Sequence, residues 1–538
     1  MSRFSILYLD NRKGKGLFDE REIVELSDSG YNFQNILGDL NLGEVGKLTN
    51  LSHKEISYVH GIASDFKSSG EDVAMRSEII RDFLNIRDFF SNFEKQMRHF
   101  VDVKDKLADA KRNMMRASAD VQSETSFLNY NRIVSACFFF SLTYKTIFNL
   151  YREFKYPQIQ SQKLQELGDF LTDLVENSPF RQLDEECKIF CDHINEGVVF
   201  DIDIKMNAIL RIISLRLRDF RYIKPVQTGL FYSVMRALAI EEKTQANKRI
   251  YIEKSFTQES LISKNDDSYL KGTMEYQINL IARRLAAVYE HLIDLFSNLS
   301  GELVFYRYAL NMIAYMRAAG VPYCLAQTEE TAQGQGCFAE FAGLCDLTLA
   351  VAFNEASSKS EVVKNDCAIG ENDKLNIIIG ANQSGKTTFL RALGTALVYA
   401  RSGLPVPAEK ARLSVFKNLY THFQRYDEDL KNEGQLDTEL AEMEKIVYSA
   451  DKNSLVLMNE SFSSTGQKDA KQIASDILSA FCHVGAKVVY VTHITDMRER
   501  LREGGHIGDL EKENINLYRT GQKDDGSPSF KLEKVGDV

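Results

Sequence analysis

The sequence predicts an α/β domain at the C-terminal end of the chain, preceded by a mainly α-helical region. Only seven of the 538 residues are proline, and apolar residues recur with helical spacing through most of the first 320 positions. Beyond that point, short apolar runs alternate with helical patterns, which indicates a mostly parallel sheet. The chain is too long for one core, so we expect an N-terminal segment (1–70), a helical domain (71–320) and an α/β domain (321–538).

The period of the apolar residues divides the first part of the chain into elements. Helices are predicted at 73–120, 127–154, 163–200 and 266–319, the last as one very long helix or two in series. Strands are predicted at 4–9, 214–223 and 249–253. Arg216, Arg218 and Arg221 lie on or near one face of the second strand, and a solvated surface explains this strip better than a nucleic-acid contact.

Charge, cysteine usage and hydropathy narrow the class of protein. The formal net charge of −10 gives no global basic field, so any binding of nucleic acid needs a local patch. Eight scattered cysteines indicate reduced thiols and a cytoplasmic location. Cys187, Cys191 and His193 lack further metal ligands and are expected to pack within a helix. We see no signal peptide, and the longest apolar stretch, 133–144, is shorter than the about 20 residues of a membrane span, so no membrane is expected.

A glycine-rich loop at 380–387 is the most specific motif in the sequence. It follows a short apolar run and precedes the start of a helix, and this context disfavours a chance glycine turn. The spacing G-x-x-x-x-G-K-T predicts a phosphate loop, in which backbone N–H groups and a helix N-terminus hold ATP phosphates. Lys386 would reach the β- and γ-phosphates, and the Thr387 hydroxyl would bind Mg²⁺. The predicted nucleotide-binding residues are Gly380, Asn382, Gln383, Ser384, Gly385, Lys386, Thr387 and Thr388.

Two later strands end in polar residues that suit nucleotide chemistry. The apolar run 454–458 is followed by Asn459 and Glu460, where an acid pair would place one carboxylate near Mg²⁺ and the other near the attacking water. Asn459 carries a neutral amide, which attracts a metal ion less strongly than a carboxylate would, whereas Glu460 is the expected general base. The run 486–492 ends at His493, a candidate contact for the γ-phosphate. The alternatives are a surface acid and a partly buried structural histidine.

These residues together resemble the ATPase domain of the MutS family, the mismatch-repair ATPases within the ABC superclass. The matching motifs are, in chain order, 362–366, 380–387, the turn at 403–408, Glu442 with Met443, 454–460, Ser464 with Thr465, and 491–493. Upstream, 305–324 resembles the end of the family's lever helix, and 76–84 resembles the entry to its core helical domain. The resemblance covers nearly the whole chain, most specifically from about 300 onward. It implies an ABC-type P-loop ATPase domain behind a helical core and lever domain.

Several positions depart from the family's pattern. Asn459 replaces the usual metal-site aspartate. In the loop 434–438, Asp437 stands where the family presents a serine to the ATP of the opposite subunit, so Thr438 or the backbone would have to take over that contact. We expect the chain to begin almost directly at the core domain and to carry no helix-turn-helix tail. We therefore expect a short form that lacks the mismatch-binding domain and does not read single mismatches.

The resemblance implies a DNA-associated, ATP-hydrolysing homodimer with Mg²⁺ as cofactor, acting on duplex or branched DNA in repair or recombination. Nucleotide binding would be transmitted along the helix at 266–319. The alternative is a nucleotide-gated dimeric scaffold that hydrolyses ATP very slowly and binds a protein partner. This alternative is favoured by Asn459, by Asp437 and by the acidic net charge. A detached nucleotide-binding subunit of a transporter is disfavoured by the long helical half and by the lack of an L-S-G-G-Q-like stretch.

Overall fold

The computed structural model describes most of the chain. The described residues are 4–9, 31–63, 68–120, 125–155, 157–193, 198–206, 212–222, 264–329, 336–355, 362–414, 416–424, 432–462, 467–497, 501 and 514–535. Their contacts form two compact units, Met1–Phe4 with Ile86–Ser300 and Ser5–Asn85 with Gly301–Val538. The three predicted domains stay a prediction.

Helices and strands are numbered here in chain order. The helices are α1 (Tyr31–Asp39), α2 (Leu42–Lys47), α3 (His53–Ala63), α4 (Gly70–Asn85), α5 (Phe89–Asp120), α6 (Thr125–Phe154), α7 (Gln162–Thr172), α8 (Phe180–His193), α9 (Lys264–Ala318), α10 (Leu347–Glu355), α11 (Lys386–Ser402), α12 (Asn432–Ser449) and α13 (Gln467–Val484). The strands are β1 (Val198–Met206), β2 (Ile212–Tyr222), β3 (Cys324–Leu325), β4 (Gln327–Glu329), β5 (Ala339–Leu344), β6 (Asn365–Ile369), β7 (Leu375–Ile379), β8 (Pro405–Val406), β9 (Lys410–Ser414), β10 (Asn418–Phe423), β11 (Ser454–Asn459), β12 (Lys487–Thr492), β13 (Ile515–Gln522) and β14 (Pro528–Lys534).

The first unit is mainly helical, as predicted. Its helices are α5 to α8 and the part of α9 up to Ser300, and β1 and β2 form an antiparallel pair. The core is rich in aromatic residues, and the rings of Phe100 and Phe296 stack with centroids 4.5 Å apart. Such aromatic contacts tie the long helices together along their apolar faces.

The helices differ from the sequence prediction at their boundaries. The pattern at 73–120 divides into α4 and α5, because Asp88 has a left-handed backbone with φ of 56° that an α-helix cannot contain. The pattern at 163–200 divides into α7, a π-helical turn at Asp173–Asn177 and α8, and its end enters β1. The helix at 266–319 is confirmed as the single helix α9.

The predicted strands had mixed outcomes. The strand at 214–223 is confirmed as β2, and Arg216 lies opposite Asp203 in the register of the pair. The basic strip stays a prediction. The strand predicted at 249–253 lies outside the described residues. The strand predicted at 4–9 is wrong, because residues 5–9 pair with no strand in the part of the chain that the structure describes.

Cysteine packing in the first unit agrees with the expectation from sequence. Cys137 of α6 and Cys187 of α8 are fully buried in the same apolar cluster. A hydrogen bond with Cys187 raises the pKa of the Cys137 thiol, which keeps it protonated and unreactive. Within the described ranges, no three His, Cys, Asp or Glu side chains are grouped so that they could hold a metal ion.

Helix α6 contains the most apolar long segment. By length and composition alone, Arg132–Phe154 could cross a membrane, with a mean hydropathy of 1.4 over its most apolar window. Of that window, 56% is buried inside the protein. Core helices pass the same test, so the segment is weak evidence for a membrane span. This segment is nevertheless longer than the apolar stretch at 133–144 that the sequence predicts.

The second unit contains the predicted α/β region. Its largest sheet has six strands in the order β10–β11–β12–β7–β13–β14, of which the first five are parallel and β14 pairs antiparallel with β13. The central strands are buried at every position, which is typical of a sheet covered on both faces. A second sheet has the order β4–β9–β5–β6.

Residues 5–9 form bends rather than a strand, and side chains rather than a neighbouring strand bind their backbone. The Ile6 N–H donates to Glu302 Oε2 at 2.7 Å, and the Ile6 carbonyl accepts a hydrogen bond from the Tyr306 hydroxyl. The Leu7 carbonyl accepts from Arg76 Nε at 2.8 Å. These bonds satisfy the peptide groups that a strand would have paired in a ladder, and this explains why the predicted strand does not form.

Glu302 should make the stability of the second unit depend on pH. Burial raises the pKa of its carboxyl from 4.5 to about 7, against the opposing effect of the Ile6 N–H bond. Between about pH 4.5 and 7 the folded protein holds a proton that the unfolded chain has released, so the free energy of unfolding falls as pH rises. We expect the decrease in the free energy of unfolding with rising pH to be smaller in Glu302→Gln than in the wild type, by about 2–4 kcal/mol.

Urea unfolding of the wild type and Glu302→Gln at about pH 5 and about pH 8 measures this difference. Glu78→Gln, at an exposed position of α4, is the matched control and should retain the wild-type pH dependence. The same fall in both Glu302→Gln and wild type would contradict the assignment.

Candidate nucleotide site at one edge of the sheet

The strand order brings three polar strand ends to one edge of the six-stranded sheet. Strand β12 lies between β11 and β7, and all three are parallel. In the register, Asn459 lies opposite Val491, and Thr492 lies opposite Ile379. The residues that follow these strands therefore emerge side by side, at the carboxyl edge where open α/β sheets bind ligands.

The glycine loop connects β7 to α11 as the sequence predicted. Gln383 and Gly385 have positive φ values of 63° and 89°, so the chain makes a tight turn before the helix begins at Lys386. Asn382 and Gln383 are exposed, Ser384 is buried, and Thr388 is half-buried in the first turn of α11. The loop thus presents its polar tip to solvent ahead of a helix N-terminus, an arrangement that suits an anion.

Lys386 points back into the loop. Its Nζ donates hydrogen bonds to the carbonyls of Gly380 at 3.0 Å and Ala381 at 2.9 Å. It also lies 3.6 Å from Glu460 Oε1. The Lys386 side chain is only 4% exposed, so these oxygens replace the water that its ammonium group loses on burial.

Thr387 and Asn459 form a pair of oxygen atoms beside the lysine. The Thr387 hydroxyl donates to Asn459 Oδ1 at 3.0 Å. Hydroxyl and amide oxygens are neutral ligands of the hard type that Mg²⁺ accepts. Thr387 and Asn459 are therefore the residues that would hold a magnesium ion here, and such an ion would neutralise phosphate charge.

Glu460 and His493 line one cavity of about 210 Å³ next to this pair. Glu460 is about three-quarters buried, and its backbone N–H donates to the Val491 carbonyl at 2.9 Å. His493 is exposed. An ion pair of Lys471 and Asp496, at 2.8 Å, forms another part of the cavity wall. A carboxylate and an imidazole facing the same solvent-filled space can orient a water molecule.

Two contacts of the glycine loop come from a hairpin that the sequence analysis did not assign to the site. The Thr520 hydroxyl of β13 donates to Ser384 Oγ at 3.0 Å. A Cβ at Gly385 would lie 3.1 Å from the Phe530 ring of β14. Asn365, in the segment 362–366, anchors Phe530 by donating to its carbonyl at 3.0 Å. No local motif marks Thr520 or Phe530, since they reach the loop only because β13 pairs with β7.

Two further predictions from the sequence concern the loop at 434–438 and the motif at 464–465. Asp437 and Thr438 are exposed, and they belong to the first turns of α12 rather than to a loop. The predicted loop at 434–438 is therefore wrong, because the helix begins at Asn432. Ser464 and Thr465 lie outside the described residues.

Comparison with known protein families identifies what the part of the chain around the glycine loop is similar to. Residues 376–518 match the family MutS domain V, which includes the glycine loop and the three strand ends. Over this region the chain is MutS-like. The DNA mismatch repair protein MutS of Bacillus subtilis (strain 168) is 32% identical over 138 residues, which cover 26% of this chain and 16% of that protein.

Two further MutS proteins have similar coverage. Identity is 34% over 137 residues with the DNA mismatch repair protein MutS of Thermotoga neapolitana, covering 26% of this chain and 17% of that protein. It is 30% over 174 residues with that of Streptococcus pneumoniae serotype 19F, covering 32% of this chain and 20% of that protein. The chain thus spans a fifth or less of the length of these MutS relatives. The family match lies within residues 376–518.

Gly380 should be required for packing as well as for the turn. A Cβ at this position would lie 2.1 Å from Thr520 Oγ1 and 2.8 Å from Ser384 Oγ. We expect Gly380→Ala to lower the free energy of unfolding by about 1–3 kcal/mol, and a second change, Thr520→Ala, to restore part of it.

Chemical unfolding of the two single variants and the double variant measures this coupling. Gly43→Ala is the control, because a Cβ there would meet no atom within 4 Å. Additive effects of Gly380→Ala and Thr520→Ala would contradict the predicted clash.

Proposed function

We propose that the protein is a Mg²⁺-dependent ATPase with an ABC-type P-loop domain, and that it acts on DNA as a homodimer. The observation that carries this proposal is the convergence of the glycine loop, Glu460 and the Thr387–Asn459 pair at one sheet edge, with Glu460 3.6 Å from the Lys386 ammonium group. The match of the same residues to MutS domain V supports it.

Each residue has a role in this proposal. Backbone groups from Gly380 to Thr388 hold the phosphates, and Lys386 leaves the two loop carbonyls to bind the terminal phosphate oxygens. Thr387 and Asn459 hold Mg²⁺, which supplies neutralisation of phosphate charge when it is bound. Glu460 accepts a proton from the attacking water, and His493 contacts the terminal phosphate.

A DNA partner is supported by the names of the relatives, which are DNA mismatch repair proteins. Duplex or branched DNA in repair or recombination is the proposed substrate class, and a cytoplasmic location without membrane association is proposed with it. Since the net charge is −10, the DNA-binding surface must be local.

A second candidate function is a nucleotide-gated dimeric scaffold that binds a protein partner and hydrolyses ATP very slowly. The neutral amide of Asn459 favours this function, because it attracts a metal ion less strongly than a carboxylate would. DNA binding and the hydrolysis rate distinguish the two candidates.

Hydrolysis should depend on the two charged residues of the site. We expect Lys386→Ala to lower both ATP affinity and turnover, and Glu460→Gln to lower kcat by roughly 100-fold or more while ATP still binds. Steady-state phosphate release and a fluorescent ATP analogue measure the two effects. The exposed Lys410→Ala is the control. Turnover at the wild-type level in both site variants would refute the ATPase proposal.

DNA binding should depend strongly on salt. Lys and Arg contacts to phosphates release counterions, so affinity for duplex or branched DNA should fall by about 10³-fold or more between about 50 and 200 mM salt if six or more phosphates are contacted. Fluorescence anisotropy with labelled duplex and four-way-junction DNA checks this. Weak binding without salt dependence would favour the scaffold.

A further inference from the structure

The turn that carries Glu460 has an unfavourable backbone. Glu460 and Phe462 have φ values of 48° and 68°, in the left-handed region that residues with side chains rarely adopt. Each such residue costs on the order of 1–3 kcal/mol and persists only where surrounding contacts fix it. The contacts that fix this turn therefore control where the Glu460 carboxylate lies.

A buried acid of α12 holds one side of the turn. Glu439 Oε2 accepts the Phe462 N–H at 2.8 Å, and the Glu439 side chain is buried. Its other oxygen, Oε1, has no hydrogen-bond partner among the described residues. Such an unsatisfied carboxylate oxygen is unfavourable by about 1–3 kcal/mol, so global stability alone does not account for an acid at this position.

A buried histidine of β10 holds the other side of the turn that carries Glu460. The His422 ring stacks on the Phe462 ring with centroids 5.9 Å apart and an interplanar angle of 24°. His422 Nδ1 lies 2.8 Å from Ser461 Oγ, and its Nε2 lies 4.0 Å from Glu442 Oε2. Both residues after Glu460 are thus bound to groups outside the turn.

We propose that Glu439 and His422 are positioning residues that hold Glu460 in its left-handed conformation, with its carboxylate beside Lys386 and facing the cavity. This inference rests on the proposed ATPase function and adds two residues to it. Neither residue lines the cavity, so neither touches the reacting atoms. Glu439 acts through the Phe462 backbone N–H, and His422 acts through the side chains of Ser461 and Phe462.

The kinetic test compares two substitutions at one residue. Glu439→Ala removes the acceptor of the Phe462 N–H, and we expect kcat to fall roughly 10- to 100-fold with ATP affinity unchanged. Glu439→Gln keeps an amide oxygen that can accept this N–H, so it should restore kcat to near the wild-type value. Glu444→Ala, exposed on the same helix, is the control. Ser461→Ala removes the hydroxyl bound to His422, should lower kcat in the same direction, and replaces Glu439→Ala if that variant does not fold. Because Ser461 itself lines the cavity, a fall in its kcat supports the inference only together with displacement of Glu460 in its crystal structure.

A crystal structure of Glu439→Ala, or of Ser461→Ala in its place, provides a test that does not depend on hydrolysis. We expect Glu460 to leave positive φ and its carboxylate to move away from Lys386. Unchanged Glu460 geometry would overturn the inference, as would wild-type kcat in both Glu439→Ala and Ser461→Ala. A wild type that binds no ATP or does not hydrolyse it would instead overturn the proposed function, and the crystal structure would still decide this inference.

Discussion

The parallel hydrogen-bonded register of β7, β12 and β11 is the constraint on which the candidate site depends. Since the three strands end almost level, the glycine loop, His493 and Glu460 emerge at neighbouring points of one edge. A shift of one residue in β11 would turn Asn459 and Glu460 to the opposite faces of the sheet. Burial of every residue in these strands fixes the register, because a shifted strand would no longer match the apolar layers above and below.

The helix that begins at the glycine loop is also fixed at its other end. Arg76 Nη1 donates to the Ser402 carbonyl at 3.2 Å, and Arg401 Nε donates to the Phe416 carbonyl at 3.0 Å. Gly403, which caps the helix at φ of 82°, leaves no room for a side chain beside the Val73 carbonyl. Arg76 thus satisfies a carbonyl in the last turn of α11, and Arg401 bonds that turn to a carbonyl outside the helix, so the end of α11 opposite the glycine loop is held in place.

The site combines favourable packing with local strain. The left-handed residues Glu460 and Phe462 and the half-satisfied carboxylate of Glu439 are each unfavourable by themselves. They belong to, or bind, the turn that carries Glu460, whose carboxylate lies beside Lys386 and lines the cavity, where its position matters for chemistry. The same unit can tolerate them because its sheet core is extensive and apolar.

The sequence by itself determined the elements whose causes are local. The spacing of the glycine loop identified Gly380, Lys386 and Thr387, and apolar periodicity identified α9 and the buried strands of the sheet. Tertiary structure decided which residues meet. Thr520, Phe530, His422 and Glu439 reach the site through strand order and helix packing, which no local pattern encodes. Residues 5–9 give the same lesson, because side chains distant in sequence bind their peptide groups in place of the predicted strand.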